Sequence, residues 1–466
     1  MSNSSIEKEL KITNFIDKMI EPVIVDGVKS LTNIVNPEHI PEQWKAFDRR
    51  RMNSSLDGNV VNYYADLSCD YLINSRLITN LPPICVKEKF RDTIRIAWCH
   101  NIGHNIVKTA SFYNQNSLYN SLDSTSLDMS SQYMMKKKNG SRKEYNFYCG
   151  NHPLLVNFSD KLPKFTIDVL QPWYYSQHID WAFPLLYVNK NEKVYHRYDF
   201  RLKVTDLIRV QKLNEKTNEW ENVTKSSSKF SHYLDISCDT IPTPELYGYY
   251  SILSKESRAE LLSCVDNQRM YIPDIVSIDN SVKTPYGGVS EIMLKSDKPA
   301  IGIMWVAENC EAVKNNNYSN YTTNEKELRD GWDPIVLNSL SYSTDYKFQN
   351  SPSNLYSKCE SFSSCPTHPG YHAFSYAWRP TGCGGDVAVD VGDIEAKLKC
   401  LISEGGILDN SNAYINDDDV IDSDDESDEE KPKNKNSQSF RLKVRLIVLH
   451  HLTIKKNGET FEMKIE

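Results

Sequence analysis

Short apolar or alternating runs recur along most of the chain from about residue 60 onward. They are separated by Asn, Pro, Gly and Ser, and in the first part of the chain they cover residues 60–67, 93–98, 105–113, 164–170 and 196–204. Several short strands with turn residues between them are typical of an all-β sandwich or barrel. The pattern therefore predicts a β-rich fold for this part of the chain.

The same texture returns after a polar stretch at residues 214–231, with runs at 232–236, 270–278, 300–307, 334–342, 371–378 and 442–454. In the last run Leu442, Val444 and Leu446 share one face of an alternating strand. Asn457-Gly458 then predicts a hairpin turn into a final strand. Only residues 254–262 show a helical pattern, which predicts one short helix between strands.

Three segments differ from this texture. The first ~22 residues form an amphipathic pattern that ends at Pro22, and this helix either packs on its own protein or reaches a neighbour. Residues 114–145 are rich in Ser, Asn and Lys and predict a long surface loop. Residues 410–438 are acidic and rich in Asn and Ser, so we expect an exposed disordered loop.

A chain of 466 residues is too long for one ordinary core. We predict an N-terminal arm at 1–55, a first β domain at 56–215 and a second at 230–466 that carries the acidic loop. The net charge is −8, but residues 417–430 alone contain ten acidic and no basic side chains, which leaves +2 for the rest. This balance argues against a nucleic-acid-binding face.

Cysteine usage, the N-terminal sequence and the lack of a long apolar run predict a protein that is made and kept in the cytosol. The eleven cysteines are scattered and odd in number, which predicts free thiols. The N-terminus lacks a signal-peptide pattern, and no apolar run is long enough to span a bilayer. We find no phosphate loop, no metalloprotease motif and no nucleophile elbow.

Two motifs of the first half carry a family resemblance. The run Ile96-Ala-Trp-Cys-His-Asn-Ile-Gly-His-Asn-Ile-Val-Lys-Thr109 places Gly103 and His104 at a tight approach after a strand. The segment Pro172-Trp-Tyr-Tyr-Ser176, with Trp173, is followed by Ala182-Phe-Pro-Leu185, which contains Pro184.

The second half carries two further motifs. Lys298-Pro-Ala-Ile-Gly-Ile-Met-Trp-Val306 contains Pro299 and Trp305, and Gly370-Tyr-His-Ala-Phe-Ser-Tyr-Ala-Trp-Arg-Pro380 contains Phe374 and Ser375. In this order the motifs resemble those of the major capsid proteins of nucleocytoplasmic large DNA viruses. After Pro380 this chain has Thr381-Gly-Cys-Gly-Gly385 where that family usually has Gln-Pro-Ser-Gly, so it resembles a divergent member.

The resemblance implies two tandem eight-stranded antiparallel jelly rolls, with an N-terminal helical arm and long surface loops. It also implies a structural protein that self-assembles as trimeric pseudo-hexagonal capsomers in the icosahedral shell of a large double-stranded DNA virus. The implied partners are further copies of the chain, minor capsid proteins and the layer beneath the shell. We expect a virion protein made and assembled in the host cytoplasm, with no enzymatic activity, no cofactor, no direct nucleic-acid contact and no membrane span.

Three alternatives remain open. The chain could be a minor capsid or assembly-scaffold paralogue, or a jelly-roll module that binds glycans. An enzyme of this architecture would need a metal set of histidines and carboxylates inside one barrel. The densest candidates are Cys359, Cys365, His368 and His372, but their spacing is unusual for zinc, and free thiols with loop histidines are the favoured interpretation.

Overall fold

The computed structural model describes residues 29–30, 48–57, 60–134, 142–177, 181–224, 232–236, 239–265, 267–342, 345–357, 362, 366, 368–377, 396–404, 438–458 and 460–465. Strands dominate these ranges and the helices are short. The predicted N-terminal helix and residues 410–437 of the predicted acidic loop lie outside the described residues. No helix in the described ranges is long and apolar enough to cross a membrane.

The first half of the chain, residues 48–251, combines strands with short helices. With the preceding N-terminal strand included, the strands are β1 (Lys29–Ser30), β2 (Asp48–Arg51), β3 (Asn53–Asp57), β4 (Val60–Tyr64), β5 (Tyr71–Leu81), β6 (Ile84–Val86), β7 (Ile94–Trp98), β8 (Val107–Asn114), β9 (Ser117–Asp123), β10 (Lys161–Leu162), β11 (Phe165–Leu170), β12 (Val194–Phe200), β13 (Ile208–Asn214), β14 (Glu219–Asn222), β15 (Leu234–Ile236) and β16 (Glu245–Ser251). The α-helices are α1 (Ile102–Asn105), α2 (Ser124–Tyr133), α3 (Arg142–Tyr148), α4 (Pro153–Val156) and α5 (Tyr174–Gln177), and 3-10 turns occur at Glu88–Phe90, Leu185–Tyr187 and Val204–Asp206.

Two antiparallel sheets form the body of the first half. One has five strands in the order β3-β4-β12-β8-β9, and the other has four in the order β11-β5-β16-β2. Two smaller sheets, β10-β6-β15 and β14-β13-β7, lie beside them. Alternation explains why the five-stranded sheet has one core face: along β12 His196 and Tyr198 are buried, whereas Tyr195 and Arg197 are not.

The second half, residues 255–465, opens with the predicted short helix. The helices are α6 (Lys255–Cys264) and α7 (Cys310–Lys314), with 3-10 turns at Leu328–Asp330 and Ser353–Leu355. The strands are β17 (Asn267–Asp279), β18 (Thr284–Pro285), β19 (Val289–Leu294), β20 (Ala300–Asn309), β21 (Ile335–Tyr342), β22 (Asp345–Pro352), β23 (Tyr371–Ser375), β24 (Ala396–Ile402), β25 (Ser439–Asn457) and β26 (Thr460–Ile465). The predictions of helix α6 and of the β25–β26 hairpin are confirmed, with Asn457 opposite Thr460.

A seven-stranded sheet lies at the centre of the molecule. Its main order is β1-β17-β25-β20-β23, and β18 and β26 also pair with β25. Along β20, Ile303 and Trp305 pack into the core of the second half, whereas Met304 and Val306 join the core of the first half. Because both faces are covered, all ten residues of β20 are buried, which explains its nearly unbroken apolar sequence. The four-stranded sheet β19-β24-β21-β22 covers the second core.

The prediction of a surface loop at residues 114–145 is wrong. Residues 117–123 form β9, which pairs with β8, and residues 124–133 form α2, which is buried along most of its length. Asp123 caps this helix by accepting a hydrogen bond from the Ser126 backbone N–H at 2.7 Å. Several of the polar side chains that suggested exposure, among them Asp123, Ser126 and Asp128, are instead hydrogen-bonded inside the protein.

The sheets of the first half include strands beyond residue 215, the predicted end of the first β domain. β15 pairs with β6, and β16 pairs with both β5 and β2. The polar stretch predicted as a boundary contains β14, which pairs with β13. The change from first-half to second-half sheets therefore falls between β16 and β17, where α6 lies.

Candidate functional site

The two halves meet where the face of the seven-stranded sheet opposite the second core packs against the first half. Much of this contact is made by buried polar and charged groups, which we call the polar seam. It comprises His100, His104, Asp123, Asp128 and Arg209 of the first half and Tyr321, Glu327 and Arg445 of the second.

Arg445 on β25 is the most deeply placed cation of the seam, because its side chain has no exposed surface. Its guanidinium lies 2.6 Å from a carboxylate oxygen of Asp123 and 2.6 Å from one of Asp279. Its Nε also donates to the Ser126 hydroxyl at 2.9 Å. Since Asp123 caps α2, this bond network ties the long β25 strand to the start of a first-half helix.

The electrostatics of this group favour the charged pair. Burial opposes ionisation of Asp123, but the positive charge of Arg445 and hydrogen bonds from Ser126 hold the pKa of that carboxyl below its ordinary value. Burial likewise opposes the charge on Arg445, and the two carboxylates raise its pKa despite that. Removing Arg445 would leave two partly exposed carboxylates without their cation, and removing Asp123 would take one of the two carboxylates away from the fully buried Arg445.

His104 and Asp128 form a second buried pair within the seam. His104 Nδ1 lies 2.5 Å from Asp128 Oδ1, and the other oxygen of Asp128 accepts a hydrogen bond from the Tyr321 hydroxyl of the second half at 3.1 Å. Burial disfavours the imidazolium, but Cys149, Tyr145 and the Asp128 carboxylate raise the pKa of His104 above its ordinary value. The predicted motif residue His104 thus contacts Asp128, the carboxylate that accepts the hydrogen bond from Tyr321 of the second half.

The loop between α7 and the turn at Leu328–Asp330 packs against the first half. The Asn316 side chain donates to the backbone oxygens of Thr205 and Ile208, each at 2.8 Å. Tyr318 donates to the backbone oxygen of Asp206 at 2.8 Å, and its ring lies under the Arg201 guanidinium. We call residues 315–327 the clamp loop, since its buried polar groups are used to hold the first half.

The end of the clamp loop carries an acidic side chain, Glu327, that faces a histidine and an arginine of the first half. A carboxylate oxygen of Glu327 lies 3.5 Å from His100 Nε2, and the other lies 4.0 Å from Arg209. Burial opposes ionisation of Glu327, but His100 and the charge of Arg209 lower its pKa to about 2. Burial and the same Arg209 charge lower the pKa of His100 to about 4, so His100 is neutral at pH 7.

Two predicted motif glycines lie where backbones come close. A Cβ on Gly103 would lie 2.4 Å from a methyl group of Val169 and 3.1 Å from the backbone oxygen of Cys149. Gly370 has φ of +90°, and a Cβ there would lie 2.1 Å from the backbone oxygen of Tyr321 in the clamp loop. Both positions therefore require glycine for close approach, and Gly370 also for its backbone conformation.

The remaining motif residues lie apart from the seam, most of them in or beside the two cores, whereas Pro299 is exposed. Trp173 is buried beside Phe112 in the first core, and Pro184 follows Phe183, which bridges to β5. Pro299 precedes β20 and its backbone oxygen accepts from the Leu449 N–H at 2.9 Å.

Trp305, Phe374 and Ser375 lie around the second core. The indole of Trp305 donates to Asn338 at 3.0 Å, and its ring stacks on His372. Phe374 packs on the rings of Phe348 and Tyr376. Ser375 donates to the backbone oxygen of Ala377 at 2.5 Å. These residues are placed to support packing.

Two of the four candidate zinc ligands, His368 and His372, lie within the described residues. Cys359 and Cys365 lie outside the described residues. His372 is buried and its Nε2 lies 2.8 Å from Asp333 Oδ2, which gives it an ordinary carboxylate partner. Within the described ranges, no three His, Cys, Asp or Glu side chains are grouped so that they could hold a metal ion.

Sequence reasoning missed the clamp loop, Arg445 and Glu327. The clamp loop lies in a run of Asn, Tyr, Ser and Thr that is easily taken for an exposed turn. One signal was available: residues 315–323 contain no charged side chain. Uncharged polar groups are much cheaper to bury than charges when they are hydrogen-bonded.

Comparison with known proteins gives a consistent result. The chain is 22% identical, over 344 residues, to a major capsid protein of Simulium iridescent virus, a match that covers 66% of this chain and 67% of the relative. A second relative, the major capsid protein of Tipula iridescent virus, is 21% identical over 344 residues, covering 66% of this chain and 68% of the relative. No protein-family model matches the chain.

The fold is shared over nearly the whole chain. The PBCV-1 VP54 structure, fitted into a reconstruction of the virophage Sputnik, matches with a TM-score of 0.63 and 13% identity, covering 90% of this chain and 96% of VP54. The predicted all-β double jelly roll is thereby confirmed, as is the predicted resemblance to viral major capsid proteins.

Proposed function

Because the chain has the double jelly-roll fold of viral major capsid proteins and resembles them in sequence, we propose that it builds the icosahedral shell of a large DNA virus. The observation that carries the proposal is the structural match over 90% of this chain and 96% of VP54, since little of either protein lies outside it. A fold alone does not define a function, but here the sequence similarity points to the same class of protein.

The role we propose is structural and without turnover. The buried charges of the polar seam are paired with one another, as suits groups that fix geometry. We place the protein in the virion and propose that it is made and assembled in the host cytoplasm. Minor capsid proteins and the layer beneath the shell are its proposed further partners, with no direct contact to nucleic acid.

We propose a homotrimer as the building block. Two jelly rolls in one chain give six similar units per trimer, which approximates a hexagon without six identical chains. A ring closes when unlike surfaces meet and the rotation returns to its start. The polar seam supports this arrangement, because it holds the two jelly rolls of each chain in one relative position.

Domain limits and motif roles are part of the proposal. We propose an N-terminal arm before β2, a first jelly roll that includes β16, and a second that begins at β17. The strand pairings support this division. We also propose that Gly103 and Gly370 allow close packing, while Trp173 and Trp305 fill the two cores.

The test is the size and shape of the purified full-length protein. Light scattering coupled to size exclusion should give the mass of three chains, and negative-stain images should show a threefold, nearly hexagonal ring. A protein that stays monomeric at every concentration and never forms such a ring would contradict the proposal. Abundance in purified particles would separate a major shell protein from a minor or scaffold paralogue, and selective retention of a glycan would favour the binding-module alternative.

A further inference from the structure

Strand β3 forms an open edge of the five-stranded sheet. It pairs with β4 on one side, and no strand among the described residues pairs with its other side. All five of its side chains are exposed, and Leu56 has 73% of its surface in solvent. An uncovered edge presents unpaired N–H and C=O groups to any strand that approaches.

Three other sheet edges in the described part of the chain carry features that discourage strand addition. β2 contains three consecutive arginines, and β14 carries Glu219 and Glu221. β22 has irregular register against β21 and ends at Pro352. Charges, bulges and prolines all discourage strand addition. β3 has only Asp57 at its last position, and its first four residues are Asn, Ser, Ser and Leu.

The register of β3 places the exposed Leu56 on the same face of the sheet as buried core residues of β4. Leu56 lies opposite Val61 and Ser54 lies opposite Tyr63. Val61 and Tyr63 are buried in the first core, so Leu56 stands on the core-side face of the sheet but beyond the part that the opposite sheet covers. An apolar side chain in this position gains stability if another molecule covers it.

We propose that β3 is an assembly edge, at which a second copy of this chain adds its own β3 in antiparallel orientation around a two-fold axis. Pairing centred on Ser55 uses all five residues and places Asn53 of each copy opposite Asp57 of the other. The like-charged Asp57 side chains are thus kept apart, and an amide faces each carboxylate. The two Leu56 side chains become diagonal neighbours on one face.

The contact is small and works through repetition. Five paired residues per chain lie well below the ~1,200 Å² of total buried area that marks a stable isolated interface. Many such contacts between trimers of one shell would act together, because each trimer offers three edges. The inference rests on the proposed shell function, in which trimers also need a contact with their neighbours.

Cysteine cross-linking tests both the edge and its register. In the proposed pairing Ser55 faces Ser55 of the second copy, within the Cα distance that a disulfide spans. Ser55→Cys, made with Cys264→Ser to remove an exposed thiol, should give a disulfide-linked dimer on mild oxidation of concentrated protein. Asp57→Cys in the same background is the matched control, since it is exposed on the same face but lies opposite Asn53.

We expect several-fold more linked dimer from Ser55→Cys than from Asp57→Cys, and we expect Leu56→Lys to abolish that excess. Equal yields from the two cysteine variants, or a link from Asp57→Cys alone, would overturn the proposal. Because the remaining cysteines are the same in both variants, the difference reports the introduced thiol.

Failure of this inference and failure of the shell function are distinguishable. Trimers that form without the Ser55 cross-link would contradict the proposal that β3 is an assembly edge and would leave the proposed shell function standing. A protein that cross-links through Ser55→Cys but never forms trimers would support the β3 pairing and contradict the proposed shell function.

Discussion

The two cores solve the same packing problem with different side chains. The first core is crowded with aromatic rings around Phe112, whereas the second is built mainly from aliphatic residues such as Leu398, Val444 and Leu446. Each core also stacks a buried histidine on an aromatic ring, His196 on Phe112 and His372 on Trp305. One architecture therefore tolerates two chemistries, provided that each buried polar group finds its own partner.

Arg445 tests whether the two cores behave as one folding unit. Arg445→Ala leaves Asp123 and Asp279 without their cation, and we expect a loss of about 3 kcal/mol in the free energy of unfolding. That figure is at the low end for buried pairs because both carboxylates keep some solvent access. Urea unfolding followed by tryptophan fluorescence would measure it and would show whether a single transition separates into two.

Arg441→Ala is the matched control on the same strand. Its side chain is 35% exposed and lies 3.6 Å from Glu308, so we expect a loss below about 1 kcal/mol. Equal losses for the two arginines would contradict a special role for the polar seam.

The aromatic crowding of the first core is tested by Phe112→Leu. Phe112 packs against the rings of Tyr119, Trp173, Tyr174, Tyr175, Phe183 and His196. Ring pairs add about 0.5–1.5 kcal/mol each beyond area burial, so we expect a loss of about 3 kcal/mol. Phe440→Leu in the second core, where Tyr286 is the one ring neighbour among the described residues, should cost about 1 kcal/mol. Chemical denaturation measures both, and a reversed order would break the comparison.

Gly370 tests the close approach of the clamp loop. Gly370→Ala adds a Cβ that would meet the Tyr321 backbone oxygen, and we expect a loss about 1–3 kcal/mol larger than that of Gly287→Ala. Gly287 has a similar φ of +80° but nothing within 4 Å, so it reports backbone strain alone. Thermal or urea unfolding of the pair gives the difference, and similar losses would show that the clamp loop yields freely.

His196 makes the first core sensitive to acid. Burial lowers its pKa from 6.5 to about 3, so between these values the unfolded chain binds a proton that the folded chain does not. Stability should therefore fall as pH drops below 6.5, by about 2 kcal/mol at pH 5 from this group. His196→Phe should remove that part of the pH dependence, as measured by urea midpoints at pH 7 and pH 5. An unchanged slope would rule out His196 as its source.

The sequence was sufficient for the fold because strand alternation and motif order are local properties. The alternation of Leu442, Val444 and Leu446, the Asn457-Gly458 turn and the helix beginning after Ser254 are all found in the structure. β20 was visible as a strand, although its sequence could not show that its two faces belong to different cores.

The seam was not predictable in the same way, since its partners are separated by long stretches of chain. Nothing near Arg445 indicates that its carboxylate partner is Asp123. The α2 segment was predicted to be exposed because its polar side chains are costly to bury. The hydrogen bonds that offset this cost come from Tyr321 and Arg445, which lie far away in the sequence. A polar run is therefore a poor guide to exposure when its partners are distant.

The shared central sheet also affects whether two copies of the chain can exchange a jelly roll. Proteins with two similar modules risk exchanging one module between chains during synthesis at high concentration. Here the exchange would require parting β20 and β25 from one of the two cores that they line, exposing apolar surface along both strands. The shared sheet thus favours self-contained subunits, as the proposed shell would need.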